Sequence, residues 1–254
     1  MADVYHGEVY RADASWRGKL RRRTVRLSSR RPAKTPRGPM ISFAFDDVPA
    51  SAIDAGAAIL EARGLRGTYF VAAALAGTDA VTGPMATPDQ VRGLADAGHE
   101  IGCHTYSHLD CGQAAACDAV EDVARNAETL AAWGVGRPTT FAYPFGDVAP
   151  VAKRAIAPRF ALMRALHRGV VTAGSDLNQA PAVGVEGPDG EALAMAWLAR
   201  AAHRKAWLIL CTHDVAEVPS PFGCTPSALA RLVDAALANG FEPVTVAEGA
   251  ARVG

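Results

Sequence analysis

Short apolar segments alternate with helical patterns from residue 40 to residue 245, and this alternation restricts the fold more than any other feature of the sequence. Residues 40–45 are almost entirely apolar, which is typical of a strand that is buried on both faces. Residues 51–63 follow with apolar side chains at helical spacing, and Gly64 suits the end of that helix. Repeated alternation of this kind predicts a parallel α/β fold.

The same patterns predict the remaining elements and the domain organisation. Further strands are predicted at 67–72, 99–103, 139–142, 160–163, 170–172, 207–211 and 241–245, and further helices at 88–97, 114–133, 189–205 and 226–239. The chain has 254 residues, and single α/β barrels commonly have about 250. We find no interdomain linker, so residues 40–254 are predicted to form one domain after a basic arm at 1–39.

Polar side chains lie just beyond the carboxyl ends of several predicted strands. The alternation alone does not distinguish a closed barrel from an open, doubly wound sheet. The polar residues are Asp46, Asp47, His104, Tyr143 and His213. In a barrel, the carboxyl ends of the strands converge on one mouth, where active sites are built. These positions therefore favour a barrel with its site at that mouth.

Each of these residues has a structural interpretation beside the functional one. Asp46 and Asp47 can form a surface turn or a helix cap, but they follow a strand too apolar to be exposed. His104 and His108 would face the same way on a helical turn, a spacing that suits one metal ion. His213 can be a capping residue after its strand. Together, two histidines and one aspartate leave positions open for water and substrate, which a catalytic metal site requires.

Two cysteines raise the alternative of a structural zinc site. Cys103 and Cys111 flank the histidine pair. On an extended segment Cys103 would point away from His104, and the C-x₂₋₄-C pairs usual in structural sites are missing. Cys103 is therefore predicted to be a core residue. The five cysteines, and an N-terminal region without the apolar core of a secretion signal, predict reduced thiols in a cytoplasmic protein.

Four segments occur in an order that matches one known family. They are Phe43-Ala-Phe-Asp-Asp-Val-Pro49, Gly98-His-Glu-Ile-Gly-Cys-His-Thr-Tyr-Ser-His108, Phe141-Ala-Tyr-Pro-Phe-Gly146 and Thr212-His-Asp214. They resemble the T-F-D-D-G-P, H-[ST]-x-x-H (with its G-H-E-[IV]-G lead-in), R-x-P-[YF]-G and L-x-H motifs of the polysaccharide deacetylase (NodB-homology, carbohydrate esterase 4) family. The resemblance covers about residues 40–250.

The resemblance implies a fold, a metal and a mechanism. The expected fold is a distorted (β/α) barrel, and the expected cofactor is a divalent ion, zinc or alternatively cobalt or nickel. Asp47, His104 and His108 would be the ligands of this ion. Asp46 would be the general base that activates a water on the ion, and His213 the acid that protonates the departing amine.

The third motif implies contacts with the substrate. A backbone N–H near Phe145 would stabilise the oxyanion that forms on the acyl carbonyl. Tyr143 and Phe145 are expected to line a sugar subsite, and burial of these rings under the barrel rim is the alternative.

The sequence also departs from the family motifs. Val48 occupies the position of the motif glycine, and Ala142 that of the arginine which pairs with the base. We expect Arg164, at the end of the 160–163 strand, to be able to replace that arginine. The family's Asp-x-x-Asp-Trp motif is not recognisable, and Asp176 is the candidate partner of His213, with an ordinary loop aspartate as the alternative.

These observations predict a hydrolase that removes an N-acyl group, most simply acetyl, from an aminosugar or polysaccharide. One alternative is a deformylase or deacetylase of a small or lipid-linked aminosugar. The other is a non-catalytic carbohydrate-binding relative, for which the missing arginine is the main argument. The sequence has no glycine-rich phosphate loop and the arm has no interleaved aromatic residues, so nucleic acid is not predicted as a partner.

The basic arm is the second feature that bears on partners. Residues 1–39 contain 11 of the 26 Lys and Arg residues and three of the 26 acids, so the arm carries +8 and the rest of the chain −8. Such an arm can be solvated, can lie along the acidic body, or can contact anionic lipid at a membrane surface. No apolar run in the sequence reaches the roughly 18 residues of a membrane-spanning helix.

Overall fold

The structure, a computed structural model, describes residues 15–254. Its strands are β1 (Met40–Asp46), β2 (Thr68–Val71), β3 (Asp79–Ala80), β4 (Gly83–Pro84), β5 (Glu100–Cys103), β6 (Thr140–Ala142), β7 (Leu162–Arg164), β8 (Val183–Gly184), β9 (Trp207–Thr212) and β10 (Glu242–Pro243). Its helices are α1 (Trp16–Val25), α2 (Ala58–Glu61, preceded by a π-helix at Ala52–Ala57), α3 (Pro88–Asp96), α4 (Ala116–Ala132), α5 (Pro150–Ile156), α6 (Gly190–Arg204), α7 (Pro226–Ala238) and α8 (Val246–Val253).

Eight of the strands form one curled parallel sheet. Their order is β7-β6-β5-β2-β1-β9-β8, and β10 pairs with β1 beside this path. Arg164 at the end of β7 forms a bridge with Ala180, shortly before β8, so the two edges of the sheet approach each other. The predicted distorted (β/α) barrel is therefore confirmed, and the carboxyl ends of its strands surround one mouth.

The alternation of side chains along β1 determines which of its residues reach the barrel interior. Ile41, Phe43 and Phe45 pack in the cluster that the sheet forms with the outer helices. Met40 and Ala44 belong to a second cluster inside the barrel. Because side chains alternate in a strand, the carboxylate of the last residue, Asp46, points into the interior as well.

Several helices begin at the capping residues that the sequence predicts. Thr87 and Gln90 form a capping box at the start of α3, and the Thr225 side chain accepts a hydrogen bond at the start of α7. The predicted strand at 170–172 is wrong: only Val171 forms a bridge, with Trp207. Strands β3, β4 and β8 have two residues each, too few for a periodic pattern. Among residues 15–254, no helix has both the length and the apolar content needed to cross a bilayer.

The described part of the basic arm, residues 15–39, lies along the body of the protein. The Arg21 guanidinium of α1 hydrogen-bonds the Gly112 carbonyl and pairs with Asp147. Farther along, Arg31 donates hydrogen bonds to the carbonyls of Phe160 and Ala161, at 2.6 and 3.0 Å. The arm thus passes from the mouth down the outside of the barrel to β1, and the acids Asp3, Glu8 and Asp13 lie outside the described residues.

Candidate active site

Asp47 meets two imidazoles at the mouth of the barrel. Its Oδ1 atom lies 3.4 Å from Nε2 of His108 and 3.6 Å from Nε2 of His104. The three ligand atoms lie within 4.8 Å of one another, and Oδ1 of Asp47 is buried with no hydrogen-bond partner among residues 15–254. A buried carboxylate oxygen that faces two imidazole nitrogens fits a divalent cation, which would satisfy all three atoms at once.

The tautomer of His104 fits the same interpretation. Its Nδ1 lies 2.8 Å from the carbonyl oxygen of Ala142, so Nδ1 carries the proton and Nε2 presents a lone pair toward Asp47. Metal-binding histidines are commonly oriented in this way. Burial lowers the pKa of His104 to about 4, so the imidazole is neutral at neutral pH, as a ligand must be. Burial alone would raise the pKa of Asp47, but nearby positive groups, His108 first, hold it below its ordinary value.

The segment from His104 to His108 is not the helical turn that the spacing predicts. Thr105 and His108 both adopt positive φ, at 60° and 57°, and the segment is a non-helical loop. Asp122 of α4 holds this loop by accepting hydrogen bonds from the backbone N–H groups of Tyr106 and Ser107, at 2.6 and 3.0 Å. The predicted pair of histidines therefore does converge, but through a loop whose anchor nothing in the sequence pattern reveals.

Positive φ values are concentrated around this site. Seven non-glycine residues of the described chain have positive φ, and five of them are Asp47, Val48, Thr105, His108 and Phe145. Val48, at φ 65°, stands where the family motif has glycine, so the turn is kept although a branched side chain strains it. Such conformations cost on the order of 1–3 kcal/mol each and accumulate at functional sites.

Asp46 forms a buried ion pair with Arg164. Nη2 of Arg164 lies 2.7 and 2.6 Å from the two carboxylate oxygens, and the guanidinium is fully buried. Burial alone would lower the pKa of Arg164, but the charge of Asp46 raises it above its ordinary value. Arg164 on β7 is the register partner of Ala142 on β6. The cation that the third motif lacks thus reaches Asp46 from the neighbouring strand.

His213 lies on the other side of Asp47. Its Nε2 is 3.9 Å from Oδ2 of Asp47, and its Nδ1 is 3.2 Å from the carbonyl oxygen of Phe222. The carboxylate of Asp214 holds the intervening loop by accepting hydrogen bonds from the backbone and hydroxyl of Ser220, at 2.8 and 2.5 Å. His213 is therefore oriented by a backbone carbonyl.

The predicted pairing of Asp176 with His213 is wrong. The Asp176 carboxylate accepts a hydrogen bond from Nζ of Lys153 at 2.6 Å and others from the backbone N–H groups of Arg31 and Asn178. These partners belong to α5, to the N-terminal segment and to the turn that directly follows Asp176. Asp176 is consequently part of the scaffold that holds this segment.

The two aromatic residues of the third motif have different surroundings. Tyr143 is completely buried and its hydroxyl donates to the carbonyl of Asn178 at 3.0 Å, yet its ring forms part of the cavity wall, so the expected contact with a sugar stays a prediction for this residue. Phe145 is half-buried, and its ring lies edge-on to that of His108 with centroids 4.6 Å apart. Phe145 therefore lies at the site, beside a proposed ligand.

These residues surround a cavity of about 180 Å³. Its lining comprises Asp46, Asp47, Leu75, Ala80, Val81, Thr82, His104, His108, Tyr143, Phe145, Leu166, Glu186, His213 and Phe222. Sequence reasoning did not find Glu186, which follows the two-residue strand β8, or the apolar walls formed by Leu75, Leu166 and Phe222. No motif marks these residues, because they come from loops that only the fold brings together.

The fold and the site define a (β/α)-barrel protein with an Asp-His-His set suited to one metal ion. A family model described as polysaccharide deacetylase matches residues 33–159, which is half of the chain. The chain therefore belongs to the polysaccharide deacetylase family. It is accordingly an enzyme of the hydrolase class, of the polysaccharide deacetylase type.

Several solved structures share the fold. The chitin deacetylase from the fungal pathogen Colletotrichum lindemuthianum has a TM-score of 0.62 and 18% identity, over 85% of this chain and 89% of that chain. A family 4 acetyl xylan esterase from Clostridium thermocellum, solved with a cobalt ion, has a TM-score of 0.58 and 20% identity over 82% and 89%. A family 4 carbohydrate esterase from Streptomyces lividans, solved with acetate, has a TM-score of 0.55 and 21% identity over 81% and 91%. A comparison with curated proteins finds no match.

Proposed function

We propose that the protein removes an acyl group, acetyl in the first instance, from the nitrogen of an aminosugar unit in a metal-dependent hydrolysis. The observation that carries this proposal is the pairing of two adjacent carboxylates with different partners. Asp47 faces His104 and His108, whereas Asp46 pairs with Arg164, and both line the same cavity. Two carboxylates in such different surroundings can hold different roles.

Asp47, His104 and His108 would hold the ion. One aspartate and two histidines form a mixed oxygen and nitrogen set that suits zinc and also accepts cobalt or nickel. When bound, the ion supplies Lewis acidity, which polarises the acyl carbonyl and lowers the pKa of water.

Asp46 is the proposed proton acceptor for the attacking water. Arg164 fixes its carboxylate in position by donating hydrogen bonds to both oxygens, and a general base must be held in place in this way. Asp46 directly precedes the proposed ligand Asp47, so its carboxylate is held beside the reacting groups.

His213 is the proposed donor of a proton to the departing amine. The Phe222 carbonyl takes the hydrogen on Nδ1, which leaves Nε2 directed toward the Asp47 side of the cavity. We retain the backbone near Phe145 as the proposed support for the developing oxyanion.

The two alternatives lead to different expectations. The non-catalytic alternative depended on the missing arginine of the third motif, and the pairing of Arg164 with Asp46 removes that argument. A formyl group in place of acetyl, and a small or lipid-linked sugar in place of a polymer, remain distinct candidates. Release of formate or acetate from matched N-acyl aminosugars separates the acyl groups.

Metal content is the first experimental test. We expect about one divalent ion per purified wild-type chain and none in a His104→Ala/His108→Ala variant. His203→Ala is the matched control, because His203 is exposed on α6 and should not affect metal content. An Asp46→Asn variant should keep the metal and lose acyl release. A wild-type chain that binds neither zinc nor cobalt would refute the proposed function.

We also propose that α1 and the turn after it contact anionic membrane lipid. Trp16, Leu20 and Leu27 are 69%, 51% and 76% exposed, and Lys19 and Arg23 are exposed beside them. Exposed apolar side chains can enter the headgroup region of a membrane while neighbouring basic groups contact anionic lipid. The Arg21 contacts with Gly112 and Asp147 would direct this surface to the same side as the mouth.

Co-sedimentation with phosphatidylglycerol vesicles tests this contact. The wild-type chain should bind at low salt and lose binding in a Trp16→Ala/Leu20→Ala variant, whereas Val218→Ala, at a 90% exposed position elsewhere, should behave as wild type. Failure to bind at any salt concentration would exclude the membrane contact. We further propose a reducing compartment, a proposal that the five free cysteines support.

A further inference from the structure

A second recess lies beside the catalytic cavity and is lined by basic residues. Its volume is about 300 Å³. Its lining comprises Arg26, Arg30, His167, Arg168, Gly169, Val170, Ser175, Asp176, Gln179 and Pro181. Arg26 and Arg30 come from the N-terminal segment, and His167 and Arg168 from the loop after β7, so the recess exists only because that segment is docked.

The positive charge of the recess is not neutralised by the protein. Its one carboxylate, Asp176, pairs with Lys153 at 2.6 Å. Arg30 donates a hydrogen bond to the Gly174 carbonyl, and neither Arg26 nor Arg168 has an ion-pair partner within residues 15–254. Three guanidinium groups therefore line a recess whose single carboxylate is already paired with Lys153.

His167 adds a buried polar atom whose hydrogen-bonding capacity the described residues do not use. Its Nδ1 atom is buried and has no hydrogen-bond partner among the described residues. Buried polar atoms are rarely left unsatisfied in proteins, and each exception calls for an explanation. An oxygen-rich ligand in the recess could accept a hydrogen bond at this position.

The recess and the catalytic cavity share a wall. Leu166 lines the catalytic cavity, and the next two residues of the chain, His167 and Arg168, line the recess. Arg168 is also close enough to interact electrostatically with Glu186 of the catalytic cavity. One ligand of modest length could therefore pass over Leu166 and occupy both spaces.

We propose that this recess binds a phosphoryl group and that the acylaminosugar substrate carries it. Guanidinium groups bind phosphate oxygens through paired hydrogen bonds, and a phosphate monoester offers about two charges and three acceptor oxygens to such a cluster. Phosphate binding itself is independent of the catalytic assignment. The second part, that the phosphoryl group belongs to the substrate, rests on the proposed function.

Inorganic phosphate is the probe for the recess itself. Phosphate should raise the melting temperature of the wild-type chain above that in sodium chloride of equal ionic strength. Its Kd should be at least tenfold weaker in Arg26→Gln/Arg168→Gln. The control Arg154→Gln/Arg204→Gln removes two exposed arginines elsewhere and should bind as wild type. Equal stabilisation of all three chains, or of none, would overturn the site.

Arg168→Lys gives a second variant at an exposed position. This variant keeps the positive charge and loses the planar guanidinium with its paired N–H donors. Phosphate binding should therefore weaken by a smaller factor than in the double glutamine variant. Binding that is unchanged in both variants would again overturn the site.

Kinetics with two soluble substrates test where the phosphoryl group comes from. KM for N-acetylglucosamine 1-phosphate should be at least tenfold below that for N-acetylglucosamine. In Arg26→Gln/Arg168→Gln, KM should rise for N-acetylglucosamine 1-phosphate and stay the same for N-acetylglucosamine, and kcat should be unchanged. Equal KM values for the two sugars would overturn the assignment of the phosphoryl group to the substrate. Displacement of inorganic phosphate by phosphatidylglycerol vesicles, and not by N-acetylglucosamine 1-phosphate, would overturn it as well. If neither sugar is hydrolysed, the proposed function fails, and the phosphate titration still decides the recess.

Discussion

Asp46 pairs with an arginine on β7, one strand away from the position at which the family motif has its arginine. The family motif expects arginine at the position of Ala142, and the structure has it at the register partner Arg164. The sequence made Arg164 a candidate because it follows an apolar strand. The register that brings it opposite Ala142 depends on pairing between β6 and β7, which no local pattern specifies.

Removal of Arg164 should destabilise the protein as well as inactivate it. Arg164→Met leaves the buried Asp46 carboxylate without its cation, which typically costs about 3–5 kcal/mol. The double variant Asp46→Asn/Arg164→Met should recover much of that loss, because neither charge remains. Urea unfolding of the wild type, the two single variants and the double variant measures the coupling free energy between Asp46 and Arg164. Arg231→Gln, which breaks an exposed pair with Glu191, should leave the midpoint unchanged. A coupling energy near zero would contradict the ion pair.

At the level of elements, the sequence predicts regular structure better than it predicts loops. Strand β1 and helices α3, α4, α6 and α7 follow from periodicity and caps. The loop from His104 to His108 does not follow, because its shape depends on positive φ at two residues and on the carboxylate of Asp122, which comes from another element. The short spacing of His104 and His108 therefore predicts correctly that the two imidazoles converge. It predicts wrongly that the backbone between them is a helical turn.

Asn126 joins α4 to β2 and to the short turn that follows this strand. Its side chain is fully buried, accepts a hydrogen bond from the Ala73 N–H at 3.0 Å and donates to the Val71 carbonyl at 2.9 Å. Asn126→Ala leaves the Ala73 N–H unsatisfied and should cost about 2–3 kcal/mol of unfolding free energy. Asn239→Ala removes an exposed asparagine and should change it by less than about 0.5 kcal/mol. Equal effects in chemical denaturation would contradict this role.

His99 should make the stability of the β2–β5 region depend on pH. Its Nδ1 accepts the Gly67 N–H at 2.9 Å and its Nε2 faces Glu61 at 3.1 Å. Burial lowers the pKa of His99 in the folded protein, so the unfolded chain binds more protons below about pH 6.5 and stability is lost as the pH falls. Titration of one group can change the free energy of unfolding by at most about 1.4 kcal/mol per pH unit.

The matched variant His99→Gln isolates this contribution. All other titratable groups are the same in both chains, so the difference in unfolding free energy between wild type and variant should shrink from pH 7.5 to pH 5. A difference that stays constant across this range would show that His99 does not titrate on unfolding.

For the molecule as a whole, the barrel could be predicted and the position of the basic arm could not. The alternation of strands and helices and the order of the four motifs led to the (β/α) barrel. The charge of the arm was evident, but its contacts join residues far apart in the sequence, such as Arg31 with Phe160 and Ala161, which lie 129 and 130 positions away. Sequence periodicity carries no information about such pairs, and the same limit explains the wrong partner for Asp176.

Asp176 should therefore matter for stability and not for catalysis. Lys153 is fully buried, and Asp176 is its only carboxylate partner among residues 15–254, with the Val25 carbonyl as a further acceptor at 2.9 Å. Asp176→Asn keeps an acceptor for the backbone of Arg31 but leaves the Lys153 ammonium without a counter-charge, which should cost about 3–5 kcal/mol. Hydrogen exchange should speed up in the N-terminal segment, while kcat for acyl release stays within about twofold because no contact links Asp176 to His213. Asp189→Asn, at an exposed acid, is the matched control. A fall in kcat at unchanged unfolding free energy would restore Asp176 as the partner of His213.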